Sequence, residues 1–164
     1  MIKDAAFNLL FERSLMPGAF LLIVFAITAF IVFLTVHISK RTREINSFLE
    51  SSGEIRLKAV HANFFGRDSL PRNQARGNGI LAILNETLYF EMYMPQRTLE
   101  IPLGMIRDVE RATSFLGKSK MQPLLVVHFM NEYGHDETAA WLVSNLSLWE
   151  ETLKQALSKG RRSP

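Results

Sequence analysis

The hydrophobic pattern divides the chain into an apolar run, a helical stripe, a long alternating region and a final helical stripe. Residues 19–36 read AFLLIVFAITAFIVFLTV, with no charge and with two threonines as the polar positions. At helical rise about 18 residues cover ~27 Å, close to the hydrocarbon thickness of a bilayer. A core helix of that length carries a polar face, which this stretch lacks. A cleaved signal peptide is shorter and ends in small residues, whereas Ile38-Ser39-Lys40-Arg41 comes next here. We read an uncleaved transmembrane helix over residues 17–38. Before it, Ile2, Ala5, Ala6, Leu9 and Leu10 fall at helical spacing within a short extracytoplasmic N-terminus, residues 1–16. That piece either lies on the membrane surface or begins the anchor, with Pro17-Gly18 expected as a break.

After the anchor, Ile38, Ile45, Phe48 and Leu49 prolong a helical stripe to about Glu50, and Ser51-Ser52-Gly53 ends it. Residues 39–52 form a helical juxtamembrane linker whose stripe either pairs with another copy or packs on the C-terminal domain. From Glu54 the period becomes two. Ile55, Leu57 and Ala59 alternate with Arg56 and Lys58; Leu88, Phe90, Met92 and Met94 alternate with Tyr89, Glu91 and Tyr93. Residues 80–84 form a continuous apolar strand, and further strands fall near 99–103, 106–113, 124–130 and 137–143. The polar, Gly- and Arg-rich residues 64–79 and 114–123 read as long loops. About seven short strands without intervening helices predict an antiparallel sandwich or barrel. Asn85-Glu86-Thr87, a formal glycosylation sequon, stands where one strand reverses, so Asn85 is expected at a hairpin corner in a left-handed conformation.

The last stripe, Leu146, Trp149, Leu153, Ala156 and Leu157, predicts an amphipathic helix that plugs one end of the sheet. Ser147-Leu148-Trp149-Glu150 has the form of a capping box, and Lys159-Gly160 suits a helix end. Residues 161–164 are a basic tail.

Charge orients this scheme. Lys40, Arg41 and Arg43 lie close after the apolar run, while Lys3 and Arg13 in the N-terminal flank are balanced by Asp4 and Glu12. The basic excess stays on the cytoplasmic side, so the C-terminal domain is expected in the cytoplasm, with the bacterial inner membrane as the expected setting. Asn85 and Asn145, the two sequon asparagines, then never meet the glycosylation machinery. The net charge of +3 is too small and dispersed for nucleic acid but suits a nearby anionic membrane. The chain has no cysteine, which excludes disulfides and thiolate chemistry.

No catalytic constellation is present: there is no Gly-x-Ser-x-Gly, no phosphate-binding glycine loop and no His-Glu-x-x-His. His37, His61, His128 and His135 have no ligand spacing, and His128 reads as a satisfied strand histidine. Asp108 and Glu110 share a strand face with Arg107 and Arg111 nearby, the pattern of a solvated face. We expect no enzyme activity, no cofactor, no metal and no small-molecule substrate.

GNGILAILNETLYFEM (residues 77–92) resembles the paired strands of GRAM and bacterial PH-like domains, and RTLEIPLGMIRDVER (residues 97–111) is similar to the next segment in them. Trp149, with Leu153 four residues on, matches the family's helix aromatic. The resemblance covers roughly residues 53–158 and implies a PH-like domain over residues 53–160. Residues 64–79 lack the Lys-x-Arg pattern of phosphoinositide-binding members. The expected fold is thus α+β: a single transmembrane helix, then a PH-like seven-stranded antiparallel barrel or sandwich closed by a C-terminal helix. In such a barrel several loops share an open end, which makes Arg56, Lys58, Arg67, Arg72, Arg76, Lys118 and Lys120 candidates for anionic headgroups. Phe115, Leu116 and Met121 are candidates for a membrane-touching loop. The expected function is a membrane-anchored binding or scaffolding module, with membrane lipid, a protein partner or a second copy as partner. The alternative is a structural subunit of a membrane complex or homo-oligomer.

Overall fold

A computed structural model describes residues 2–71 and 73–160, with side chains for 18–71 and 73–158. The side chains of the expected N-terminal stripe, and the basic tail 161–164, lie outside the described residues. The chain divides into two units, Met1–Lys40 and Arg41–Pro164.

The first unit is helical. Helix α1 runs Ile2–Ser51, and Pro17-Gly18 does not interrupt it. Its segment from Gly18 is the one described helix long and apolar enough to cross a membrane, and none of its apolar window is buried. Phe20, Phe25, Phe30 and Phe33 are all more than 60% exposed. Thr28 and Thr35 satisfy their hydroxyls on the helix itself, donating to the carbonyls of Val24 (2.8 Å) and Ile31 (3.0 Å). No polar side-chain group of this run therefore needs water, the condition an apolar solvent imposes.

The second unit holds strands β1 (Leu57–Arg67), β2 (Gly77–Ile83), β3 (Thr87–Met92), β4 (Arg97–Pro102), β5 (Ile106–Ala112), β6 (Leu124–Met130) and β7 (Asp136–Leu142), then helix α2 (Leu146–Gly160). They form one antiparallel sheet in the order β4-β3-β2-β1-β7-β6-β5. The sheet is not closed: β4 and β5 are both edges, joined by a 3-10 turn at Leu103–Met105. The seven antiparallel strands and the C-terminal helix are as expected, but the sheet does not close into a barrel.

Three apolar clusters explain the patterns. The largest lies inside the curled sheet, where Phe64, Phe90 and Trp141 meet with ring centroids 5.1–5.9 Å apart. Helix α2 adds Leu146, Trp149, Leu153 and Ala156 to this core. The second lies on the outer face of β2 and β3, where Ile45 and Leu49 of α1 cover Ile80, Ala82, Leu84, Tyr89 and Tyr93. This is why residues 80–84 are apolar without alternation: both faces of β2 are buried. The stripe after the anchor packs on its own domain. The third cluster, Phe65, Leu124, Val126 and Ala140, is covered by Phe115 and Ala112.

Sequence expectation and structure differ at three further places. Strand β1 continues through Phe64 and Phe65 to Arg67, because Phe64 enters the inner core and Phe65 the outer one. Asn85 does stand at a hairpin corner, closed by Leu84 N–H donating to Thr87 O at 2.9 Å, but its φ is not positive. The left-handed asparagine is Asn145, with φ 55°, at the start of α2. The capping box does not form either. Ser147 lies inside α2, and Glu150 pairs instead with Arg111 (2.6 Å) and Lys154 (2.6 Å).

Candidate functional site

The candidate cations fall in separate places. Arg56, just before β1, is exposed, and Lys58 Nζ donates to Asn46 Oδ1 at 3.0 Å. Arg67, at the far end of β1, donates from Nη2 to Glu137 Oε2 at 2.6 Å and from Nε to Glu137 Oε1. Arg72 lies outside the described residues. Arg76 stacks its guanidinium 4.0 Å over Phe65, a cation–π contact. Lys118 Nζ donates to Gln74 O at 3.4 Å, and Lys120 is exposed.

The first and the later loop therefore meet, through Phe65, Gln74 and Lys118, but Arg56 and Lys58 do not join them. An 11-residue strand at about 3.3 Å per residue, bent by two register shifts, puts up to roughly 30 Å between the two groups. Phe115 is tucked against the third cluster, Leu116 is half-buried, and Met121 is 98% exposed. Leu116 (φ 51°) and Met121 (φ 55°) both bend the loop through left-handed backbone, and Met121 N–H is fixed on Ser119 Oγ at 3.1 Å.

A concave feature lies elsewhere, along the free β4 edge of the open sheet. A cleft of about 450 Å³ is lined by Thr98, Leu99, Glu100 and Pro102 of β4 and Met105 of the 3-10 turn on one side. Across from them stand Phe129 to Tyr133 and Arg67. That volume lies within the range of ordinary ligand sites. Its floor is apolar, with Leu99 and Phe129 buried, and its rim is polar.

Glu137 fixes that rim. It is 1% exposed and accepts from Arg67, from Ser69 Oγ and from Asn131 Nδ2 at 3.4 Å. One carboxylate thus ties the end of β1, the loop after it and the β6–β7 turn. Burial pushes its carboxyl up, but Arg67, Ser69 and Asn131 together outweigh that and hold it below the ordinary carboxylate range. Asn131 Oδ1 accepts from the amides of Tyr133 and His135, both at 3.0 Å, so the turn facing β4 is ordered.

A second buried carboxylate, Glu91, lies under α1. Arg41 pairs with it and Tyr89 donates its hydroxyl to it. Desolvation, then the Glu91 hydrogen bond, pushes the Tyr89 phenol well above its ordinary value, and desolvation also raises Tyr93. Neither carboxylate was expected from the sequence. For Glu91 a signal existed: an acid on a strand face between two tyrosines, opposite a stripe that carries Arg41.

His128 is satisfied as expected, with Nδ1 3.1 Å from Thr138 Oγ1 and Nε2 3.1 Å from Glu110 Oε1.

No family model matches the chain, and no curated protein matches it in sequence. Solved structures do resemble it. A chain of the 8S snRNP assembly intermediate superposes with a TM-score of 0.50 at 7% identity, covering 63% of this chain and 82% of that one. The C-terminal domain of an unknown protein from Leishmania infantum gives 0.48 at 12% identity, covering 72% and 92%. The Vps36 N-terminal PH domain gives 0.48 at 13%, covering 67% and 83%. At these identities the likeness concerns the fold. The strand order, the open side and the C-terminal helix define the class: an α+β domain of one seven-stranded antiparallel sheet and a closing helix, preceded in the chain by one long apolar helix.

Proposed function

We propose that this chain is a membrane-tethered, non-catalytic PH-like module that holds a protein partner near the cytoplasmic face of a membrane. One observation carries the protein-binding part: the cleft along the open side of the sheet, with an apolar floor and a rim ordered by Glu137. The exposed apolar helix supports the tether, and Lys40, Arg41 and Arg43 after it support the cytoplasmic orientation. The resemblance of residues 77–111 to GRAM and bacterial PH-like domains agrees with a binding role, although PH-like folds host unrelated functions.

A photo-crosslinking residue at Glu132, in the full-length chain in its own membrane, should give one discrete protein adduct. The same residue at Leu148, exposed on α2, should give none. Adducts from both positions, or from Leu148 alone, would contradict the reading.

A second reading rests on Met121. Its fully exposed side chain next to Lys120 suits a loop that touches anionic lipid. A nitroxide at Met121 should lose collisions with a water-soluble relaxant in anionic vesicles but not in neutral ones. Equal accessibility in both would remove this reading.

A further inference from the structure

We propose that the free edge of β4 is the docking edge, and that its occupant is an extended basic segment of a protein partner, added as an eighth strand. This rests on the protein-binding reading above and names the ligand class. The lining of the cleft identifies an edge. Along β4, Leu99 and Ile101 face the core while Thr98, Glu100 and Pro102 face outward. The cleft touches Leu99 as well as Thr98, Glu100 and Pro102. Residues from both faces of a strand line one cleft only where it runs along the strand's side, because alternate side chains point to opposite faces. That side carries no neighbouring strand.

The two edges of the sheet are not equivalent. Beside β5 the register shifts between Ile106 and Asp108, and α2 packs on β5 and β6. Beside β4 the register runs unbroken from Arg97 to Pro102, and α2 packs mainly on β5, β6 and the 3-10 turn. Natural edge strands are usually blunted by bulges, charges or cover. Thr98 to Ile101 has no bulge, Glu100 is its one charge, and it lies between Arg97 and Pro102. A regular edge of this kind offers backbone groups to an added strand.

Charge selects the occupant. Among the described lining residues the one cation, Arg67, is already bound to Glu137. Glu100 and Glu132 are exposed on opposite walls. An incoming strand therefore meets acids on both sides and the apolar Leu99 and Phe129 beneath. A segment alternating apolar residues with Lys or Arg matches this pattern.

The test uses the full-length chain in phosphatidylcholine nanodiscs, panned against a display library of seven-residue extended peptides. Enriched peptides should alternate apolar and basic residues and should slow amide exchange at residues 98–101. They should lose affinity at least tenfold in Glu100→Lys/Glu132→Lys, and also when their alternate amides are N-methylated. Three results would overturn the proposal: enrichment of acidic peptides, indifference to N-methylation, or protection at residues 113–123 with none at β4. The last would leave the binding-module reading standing. No enrichment over empty nanodiscs would overturn both.

Discussion

At the scale of single residues, two positions show how local physics fixes this fold. Gly79 of β2 stands against β3 so closely that a Cβ would lie 2.1 Å from the Glu91 carbonyl oxygen. Only glycine permits that approach of two backbones. Gly79→Ala should cost about 1–3 kcal/mol, read as a lower denaturation midpoint, while Gly104→Ala, which meets nothing within 4 Å, should be near neutral. Glu137 is the other position. Its pKa is lowered in the folded state from an ordinary 4.5, so the stability it contributes is present above that value and is lost as pH falls through the folded pKa. Between pH 7 and pH 3 the wild type should therefore lose more stability than Glu137→Gln. Parallel loss in both would mean that Glu137 is not the acid-sensitive group. The glutamate was not legible in the sequence, since nothing in GHDETAA distinguishes a buried acid from exposed ones. The left-handed asparagine was misplaced for a similar reason: composition marks turns, but which turn residue takes positive φ depends on the hydrogen bonds the turn closes.

At the scale of elements, period two correctly identified which residues of β3 face the core, Leu88, Phe90 and Met92. It could not show that the other face, Tyr89, Glu91 and Tyr93, is covered as well, because cover comes from residues forty or more positions away. The same cause hid the full length of β1: Phe64 and Phe65 look like a loop's start until both faces of the strand are seen to be buried. The end of α1 is thus part of the domain's packing. Leu49→Ala, at a fully buried position, should cost about 2–5 kcal/mol. Phe48→Ala, half exposed and with its ring tilted against Tyr89 at 5.6 Å, should cost about 1 kcal/mol. A fragment beginning at residue 41 should unfold cooperatively at clearly higher denaturant than one beginning at residue 53, which exposes Ile80, Tyr89 and Tyr93 and leaves Glu91 without Arg41. Equal midpoints for the two fragments would refute that packing. The candidate cations were legible one by one, but their grouping was not. Strand length separates Arg56 from Arg67, and Glu137, Phe65 and Gln74 already engage Arg67, Arg76 and Lys118.

At the scale of the whole molecule, one long apolar helix precedes a seven-stranded antiparallel domain with a C-terminal helix. Both parts were readable in outline, because the length of an apolar run and the order of strands are properties of the chain itself. The cleft was not, since it exists only where the sheet fails to close. The most direct measurement is protease digestion of the C-terminally tagged, full-length chain in carbonate-washed membrane vesicles of both orientations. A cytoplasmic domain on a membrane tether predicts that the chain stays in the membrane pellet, that inside-out vesicles lose the tag, and that right-side-out vesicles keep it. Release by carbonate, or loss of the tag from right-side-out vesicles alone, would contradict it.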